Sequence, residues 1–96
     1  MPREFTKQPS AVKDYDFDWS GWLRPTLGDT IATSSVVSSP AGLTLGAKTH
    51  TNADQTVKQF IAGGTVGVDY VVTCVITTAQ GRVDEAEIRI HVRELV

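Results

Sequence analysis

The sequence predicts an all-β protein built as a sandwich of two antiparallel sheets with about seven strands. Threonine and valine fill 24 of its 96 positions, and β-branched side chains favour strands. Short alternating or apolar segments recur about every ten residues, separated by glycine and proline, which is the pattern of a sandwich. Tyr70 stands early in the second-last segment, where immunoglobulin-like domains carry a corner tyrosine. We therefore expect an immunoglobulin-like β-sandwich.

Length and composition indicate one ordinary globular domain. With 41% hydrophobic and 21% charged residues, the chain does not have the composition of a disordered protein. Its net charge of −2 gives no general attraction to nucleic acid or to an anionic membrane. The first ten residues have no apolar core of the kind found in signal peptides, and the single cysteine, Cys74, has no disulfide partner. We expect synthesis in a reducing compartment and no nucleic-acid or membrane partner.

The chain is predicted to divide into an extended N-terminal arm, residues 1–10, and an immunoglobulin-like domain, residues 11–96. Pro2 and Pro9 favour an extended backbone and lack the amide hydrogen that a sheet would use. Phe5 is the one large apolar side chain among polar neighbours in this segment. Because an arm of this kind commonly becomes ordered against another chain, we expect Phe5 to contact a partner.

The first strand of the domain alternates aromatic residues with aspartates. It lies in "DYDFDWSGWL", residues 14–23, and alternate residues of a strand face opposite sides of the sheet. The aromatic side comprises Tyr15, Phe17 and Trp19, and the acidic side comprises Asp14, Asp16 and Asp18. We expect the aromatic side in the core. The acidic side suits the surface of an edge strand, where charge discourages pairing with other chains.

Strands and tight turns are predicted to alternate through the rest of the domain. A loop is predicted at 20–30, and strands at 30–38, 43–49, 54–62, 68–78 and 82–92. Their period of two places Val57, Gln59 and Ile61 on one side of a strand, with Phe60 on the other. It also places Tyr70, Val72, Cys74 and Ile76 on one face of an apolar strand, and it predicts that Ala86, Ile88, Ile90 and Val92 face inward. Gly46 is expected to form a bulge. Gly81 is expected to supply the positive φ of the turn before the last strand.

The residue types that carry chemistry do not form a recognisable catalytic, metal-binding or cofactor-binding pattern. A calcium loop starting at Asp14 would need glycine and glutamate at its sixth and twelfth positions, where this chain has Trp19 and Pro25. Neither histidine has a neighbour at the spacing of a metal ligand. Cys74 alternates with apolar residues, as a buried side chain does. We therefore expect no catalytic residue, no metal and no cofactor, and a protein that is not an enzyme.

The candidate site residues are instead partner-binding residues, namely Phe5, Asp14, Asp16, Asp18 and Trp22. Carboxylates on one face of a strand, about 6.7 Å apart, repel one another only weakly in water, so the acidic side can remain solvated or meet a partner. A cation site there is the alternative. Trp22 lies beyond the alternation and is either a lid on the core or an interface residue. A carbohydrate-binding module that uses the tryptophans and aspartates is a further alternative.

Five segments, in this order along the chain, resemble a family of small structural proteins of tailed bacteriophages, the fibre–tail adaptor or immunoglobulin-like virion proteins. The segments are Asp14–Leu23, Gly28–Ser34 ("GDTIATS"), Pro40–Thr44 ("PAGLT"), Ala62–Thr73 and Thr77–Glu85 ("TTAQGRVDE"). The resemblance extends over about residues 9 to 93. In one respect the chain departs from the family, because Val36 or Val37 stands where the family pattern has a tryptophan.

The resemblance implies a structural virion protein without catalytic residues. Its expected place is the tail or the head–tail connector, after synthesis in the cytoplasm of the host bacterium. Its expected partners are other virion proteins of the tail, connector and tail fibre, which it would meet in multiple copies on a symmetric assembly. A capsid decoration protein with the same fold is the alternative, since either role needs only a sandwich and a docking surface.

Overall fold

The structure is a computed structural model that describes residues 3–23, 28–51 and 53–94. Within these residues the protein has seven strands in two sheets and one helical turn. The elements are β1 (Arg3–Lys7), β2 (Lys13–Asp18), α1 (Ser20–Leu23), β3 (Ile31–Ser39), β4 (Leu43–Thr51), β5 (Thr56–Gly63), β6 (Asp69–Thr78) and β7 (Val83–Val92). One sheet has the order β1-β7-β6-β3, and the other has the order β2-β5-β4. The sets β7-β6-β3 and β2-β5-β4 are those of an immunoglobulin-type sandwich. The predicted fold is confirmed.

The core lies between the two sheets, and one side of each of β5, β6 and β7 lines it. Side chains that are at most 2% exposed include Val57, Gln59, Ile61, Tyr70, Val72, Cys74, Ile76, Ile88, Ile90 and Val92. They alternate with exposed or half-buried residues because successive strand residues face opposite sides of a sheet. Burial raises the pKa of the Cys74 thiol to about 11, which keeps it protonated and unreactive at neutral pH.

Tyr70 joins the corner between β5 and β6 to the turn before β4. Its hydroxyl oxygen accepts a 3.0 Å hydrogen bond from the amide of Thr65. Glycines of both turns lie close to the same side chain: a Cβ added at Gly42 would lie 2.6 Å from the hydroxyl oxygen, and one at Gly64 would lie 3.5 Å from the ring. The predicted corner tyrosine is therefore present, and its ring fills space that these turns leave open.

The N-terminal segment is a strand of the sandwich and not an arm outside it. β1 runs parallel to β7. It contains no proline, so each of its residues keeps an amide hydrogen for pairing. The ring of Phe5 packs edge-on against Tyr15, with 4.9 Å between the ring centroids. Lys7 is completely buried, and its ammonium group donates to the carbonyl oxygens of Gln8 and Gly63 at 2.8 and 2.7 Å. The predicted separation of an arm from the domain is thus wrong for Arg3–Lys7.

The predicted loop 20–30 contains one turn of helix, α1. The amides of Trp22 and Leu23 donate to the carbonyl oxygen of Trp19 at 2.9 and 2.8 Å. Leu23 is completely buried, so core packing fixes a turn that is too short to produce a helical sequence pattern. Residues 24–27 of the predicted loop lie outside the described residues. No helix among the described residues is long and apolar enough to cross a membrane.

Two turns and one bulge set the ends and the register of the later strands. Ala53 and Asp54 have positive φ angles of 55° and 61°, so β5 begins at Thr56 and not at residue 54 as predicted. Gly81 has the predicted positive φ, 86°. The pairing of β4 with β5 shifts next to Gly46, which confirms the predicted bulge.

Candidate interaction surface

Three chain connections meet at one end of the sandwich. They are the β2–β3 connection with α1, the β4–β5 connection and the β6–β7 turn. Backbone hydrogen bonds tie them together: the amide of Trp19 donates to Gln55, that of Ile31 to Asp54, and that of Ala79 to Thr30, at 3.0, 2.8 and 2.9 Å. The described parts of these connections therefore form one surface.

Asp18 and Trp19 fix the start of α1 within this surface. The carboxylate of Asp18 accepts hydrogen bonds from the amide of Ser20 at 2.8 Å and from the hydroxyl group of Thr56 at 3.2 Å. The bond from the Ser20 amide, followed by other hydrogen bonds, lowers the pKa of Asp18. Trp19 is buried, and its indole N–H donates to Asp84 of β7 at 2.9 Å. These contacts hold α1 against the adjoining β5 and β7.

Asp29 and Arg82 form an ion pair beside α1, in which the carboxylate is buried and the guanidinium group is partly exposed. The Nε and Nη2 atoms of Arg82 lie 2.9 and 2.7 Å from one oxygen of Asp29, whose side chain is completely buried. Its other oxygen accepts the amides of Thr30 and Gln80 at 3.0 and 3.1 Å. Burial raises the pKa of Asp29, but hydrogen bonds from Arg82, Thr78 and Gln80 outweigh it and lower the pKa overall. Asp29 is therefore ionised at neutral pH and holds the guanidinium group in one position.

The guanidinium group of Arg82 stacks on the indole ring of Trp22, which extends from α1. The guanidinium carbon lies 4.2 Å from the ring centroid, well within the range of a cation–π contact. Trp22 is 38% exposed, so one part of the ring contacts Arg82 while another faces solvent. We call these two side chains the Trp22–Arg82 surface. It presents an aromatic ring and a cation that are already held in place.

The five predicted site residues are divided among three locations. Trp22 belongs to the Trp22–Arg82 surface. Asp18 lies next to it, where its carboxylate accepts a hydrogen bond from the amide of Ser20 at the start of α1. Asp14 lies 3.7 Å from Lys58 of β5, and Asp16 is exposed two residues further along β2, which is an edge strand. Phe5 is packed against the core. The structure therefore brings together only one of the aspartates with Trp22.

Asp29 and Arg82 were not among the residues that the sequence singled out. Gln80 and Arg82, which bond to Asp29, are separated from it by 51 and 53 positions, and no local pattern marks such a pair. The short segment "GDT" before a strand is the one available signal, because aspartate commonly bonds to nearby amides in turns. Among residues 3–23, 28–51 and 53–94, no three His, Cys, Asp or Glu side chains are grouped to hold a metal ion.

A comparison with protein families assigns the chain. Residues 7–91 match the family described as Podophage GP4 fiber-tail adaptor protein gp77. The chain belongs to this family. Membership confirms the resemblance predicted from the sequence and makes the protein a structural adaptor of the phage tail, hence a virion component that associates with other tail proteins and fibres. The family is one of structural phage proteins and not a known family of enzymes. No curated protein matches the chain.

Proposed function

We propose that this adaptor attaches a tail fibre, or a tail protein next to the fibre, through the Trp22–Arg82 surface. Tryptophan and arginine are the residue types that most often dominate the free energy of protein association. One observation carries the proposal: buried Asp29 forms an ion pair with Arg82, and the guanidinium group of Arg82 stacks on the ring of Trp22. Because these side chains are ordered before binding, association does not bear the entropy cost of immobilising them.

The exposed aspartates of β2 have a secondary role in this proposal. Asp14 and Asp16 lie on the outer side of an edge strand, with Asp14 close to Lys58. Charges at the rim of an interface mainly set orientation and association rate, whereas a central aromatic residue supplies affinity. Basic groups of a partner would meet this side of the domain once Trp22 is engaged. Asp18 contributes less because its carboxylate already accepts two hydrogen bonds within the protein.

The proposal is tested by comparing two exposed aromatic residues. Trp22 and Phe60 are each 38% exposed, but Phe60 lies on the outer face of the β2-β5-β4 sheet. We expect Trp22→Ala to weaken binding to purified fibre and tail proteins of the same phage by about 30-fold, or 2 kcal/mol. We expect Phe60→Ala to bind as the wild type does. Equal binding by both variants, or a greater loss for Phe60→Ala, would show that the attachment surface lies elsewhere.

The location in the virion is tested by cryo-electron microscopy of the assembled phage. We expect density for this sandwich where fibres meet the tail, in a copy number that follows the symmetry of a tail ring. The Trp22–Arg82 end should face a neighbouring protein, and the domain should be present in several copies. Density spread over the head lattice would support a capsid decoration protein instead.

A further inference from the structure

The two sheets have four edge strands, and one of them, β3, carries no charged side chain. The edges are β1 and β3 in the larger sheet and β2 and β4 in the smaller one. β1, β2 and β4 each contain lysine, and β4 also contains the bulge at Gly46. Lysines, other charges and bulges are the usual means by which edge strands avoid pairing with other chains. β3 has the sequence "IATSSVVSS" and contains neither charge nor proline.

The outer backbone edge of β3 is open beyond Ser34. The ammonium group of Lys48 donates to the carbonyl oxygen of Ser34 at 2.5 Å, so this carbonyl group points away from β6. In an antiparallel pair the backbone groups of alternate residues point to the same side, so those of Val36 and Ser38 also point outward. From residue 35 to residue 39, the described part of the chain supplies β3 with no pairing strand other than β6. Within this stretch, Val36 and Ser38 therefore offer unpaired backbone groups.

The side chains along this open edge are also uncharged. Val37 is 61% exposed and lies on the outer face of the sheet, two residues from Ser35 and two from Ser39. The adjoining outward positions of β6 are Val71, Thr73, Val75 and Thr77, which pair in register with β3. An uncharged surface of valine, threonine and serine thus continues from the edge onto the sheet face.

We propose that a second copy of this chain pairs with β3 along this edge, antiparallel, about a two-fold axis at Val37. A two-fold axis places Val37 opposite Val37 of the second copy, with Val36 opposite Ser38 and Ser35 opposite Ser39. Val36 and Ser38 then exchange backbone hydrogen bonds across the axis, because their backbone groups point outward. The two Val37 residues form a non-hydrogen-bonded pair, whose Cα atoms lie about 4.5 Å apart and whose side chains are in contact. The larger sheets of both copies become one continuous sheet.

The absence of charge on β3 favours a second copy of this chain as the partner that pairs with this edge. A symmetric interface brings the same patch of both subunits together, so any charge near the axis would lie close to its own counterpart. Like charges opposite each other destabilise a strand pair. β3 satisfies this condition because it has no charge at all, and its most exposed apolar side chain lies on the proposed axis. The pairing leaves the Trp22–Arg82 surface free, because α1 is not part of this edge.

The oligomeric state of the purified protein tests the proposal directly. We expect the wild type to form a dimer in sedimentation equilibrium and Val37→Lys to weaken dimerisation by roughly tenfold or more, because two ammonium groups would meet on the axis. Thr33→Lys is the matched control: it adds the same charge to the same face outside the paired stretch and should dimerise as the wild type does. Far-ultraviolet circular dichroism shows that each variant is folded. A wild type that remains monomeric, or a Thr33→Lys variant that loses dimerisation as Val37→Lys does, overturns the proposal.

Disulfide trapping tests the register. In Val37→Cys the two introduced thiols lie within the Cα separation that a disulfide requires. In Ser35→Cys they lie about 13 Å apart, since four residues of strand separate them. We expect mild oxidation to link Val37→Cys into a covalent dimer and to leave Ser35→Cys unlinked, while buried Cys74 does not react. Equal linking of both variants overturns the register, and with it the axis at Val37.

The two proposals fail independently. Trp22→Ala should dimerise as the wild type does, and Val37→Lys should still bind a single copy of the fibre or tail partner. Loss of partner binding in Trp22→Ala with an unchanged dimer supports both proposals. Loss of the dimer in Trp22→Ala would contradict the separation of the two surfaces and overturn β3 as the dimer edge.

Discussion

The guanidinium group of Arg82 lies 4.2 Å above the ring of Trp22 and at the same time pairs with the buried carboxylate of Asp29. A tight turn before β7 thereby controls the position of an aromatic ring on α1. The ring is exposed enough to contact a partner and constrained enough to meet it in one orientation. Its position depends on an ionised group that no solvent reaches.

Replacing Arg82 should release the ring of Trp22 without unfolding the domain. Arg82→Lys keeps the positive charge but loses the planar stacking on the ring. We expect the indole N–H signal of Trp22 to show increased fast motion in ¹⁵N relaxation measurements. The signal of Trp19, which is hydrogen-bonded to Asp84 at 2.9 Å, serves as the internal control and should be unchanged. Equal motion of Trp22 in the wild type and the variant would show that Arg82 does not restrain it.

Removing the ring of Phe5 should destabilise the whole domain. The sequence predicted an arm separate from the domain, but the ring packs against Tyr15 and β1 pairs with β7. We expect Phe5→Ala to lower the free energy of unfolding by about 2 kcal/mol, less than for a fully buried phenylalanine. Denaturant unfolding measures it. Thr6→Ala, whose exposed side chain faces solvent, is the control and should be close to the wild type. Identical midpoints for the two variants would mean that β1 adds no stability.

His91 should make stability depend on pH above about 6.5. Its two ring nitrogens lie 2.9 Å from Asp69 and 2.6 Å from Glu4, and the bond to Asp69, followed by that to Glu4, raises its pKa. A raised pKa means that the protonated ring stabilises the fold. This stabilisation is complete below the pKa of the unfolded chain, about 6.5, and is lost as pH rises through the higher pKa of the folded protein.

Thermal unfolding at a series of pH values measures this effect. The midpoint of the wild type should decline relative to that of His91→Gln as pH rises from 6.5 through the raised pKa. Arg93 also contacts Asp69 at 3.0 Å, and it is present in both proteins. A constant difference between the two proteins over this range would show that protonated His91 does not support the pairing of β1.

Substitutions at two glycines with positive φ distinguish the cost of backbone strain from the cost of a packing clash. Gly64 and Gly67 have φ angles of 106° and 88°, but a Cβ at Gly64 would lie 2.7 Å from a methyl group of Val92, whereas one at Gly67 meets nothing within 4 Å. We expect Gly67→Ala to cost about 1 kcal/mol from backbone strain alone. Gly64→Ala should cost about 2 kcal/mol more because of the added clash. Urea unfolding of both variants provides the comparison, and equal costs would show that the clash relaxes freely.

The strands and the core could be predicted because each depends on a local pattern. Alternation in β6 and β7 assigns every second residue to the inside, and the structure buries Val72, Cys74 and Ile90 accordingly. The position of Tyr70 near the start of its strand also sufficed to predict the corner. These features can be predicted without knowing which strands are neighbours, because the period of two alone shows which residues share one side of a strand.

Features that depend on distant pairing could not be predicted in this way. β1 joins the last strand of the chain, and nothing within Arg3–Lys7 indicates that partner. Asp29 was overlooked because its burial depends on Arg82, which becomes a neighbour only after β6 and β7 have formed. The helical turn at Ser20–Leu23 is too short to carry a periodic signal. Trp22 could be singled out from the sequence, but whether its ring was a lid on the core or a surface group depended on these contacts.

The parallel pairing of β1 with β7 determines how the domain would respond to mechanical load. Arg3 lies beside Ile88 and Lys7 beside Val92, so the chain enters β1 at one end of the pair and leaves β7 at the other. Tension applied between these two points slides the strands along each other and stretches their hydrogen bonds together. An antiparallel pair loaded at one end would instead separate one bond at a time. Shear is therefore the direction in which this pair of strands resists most.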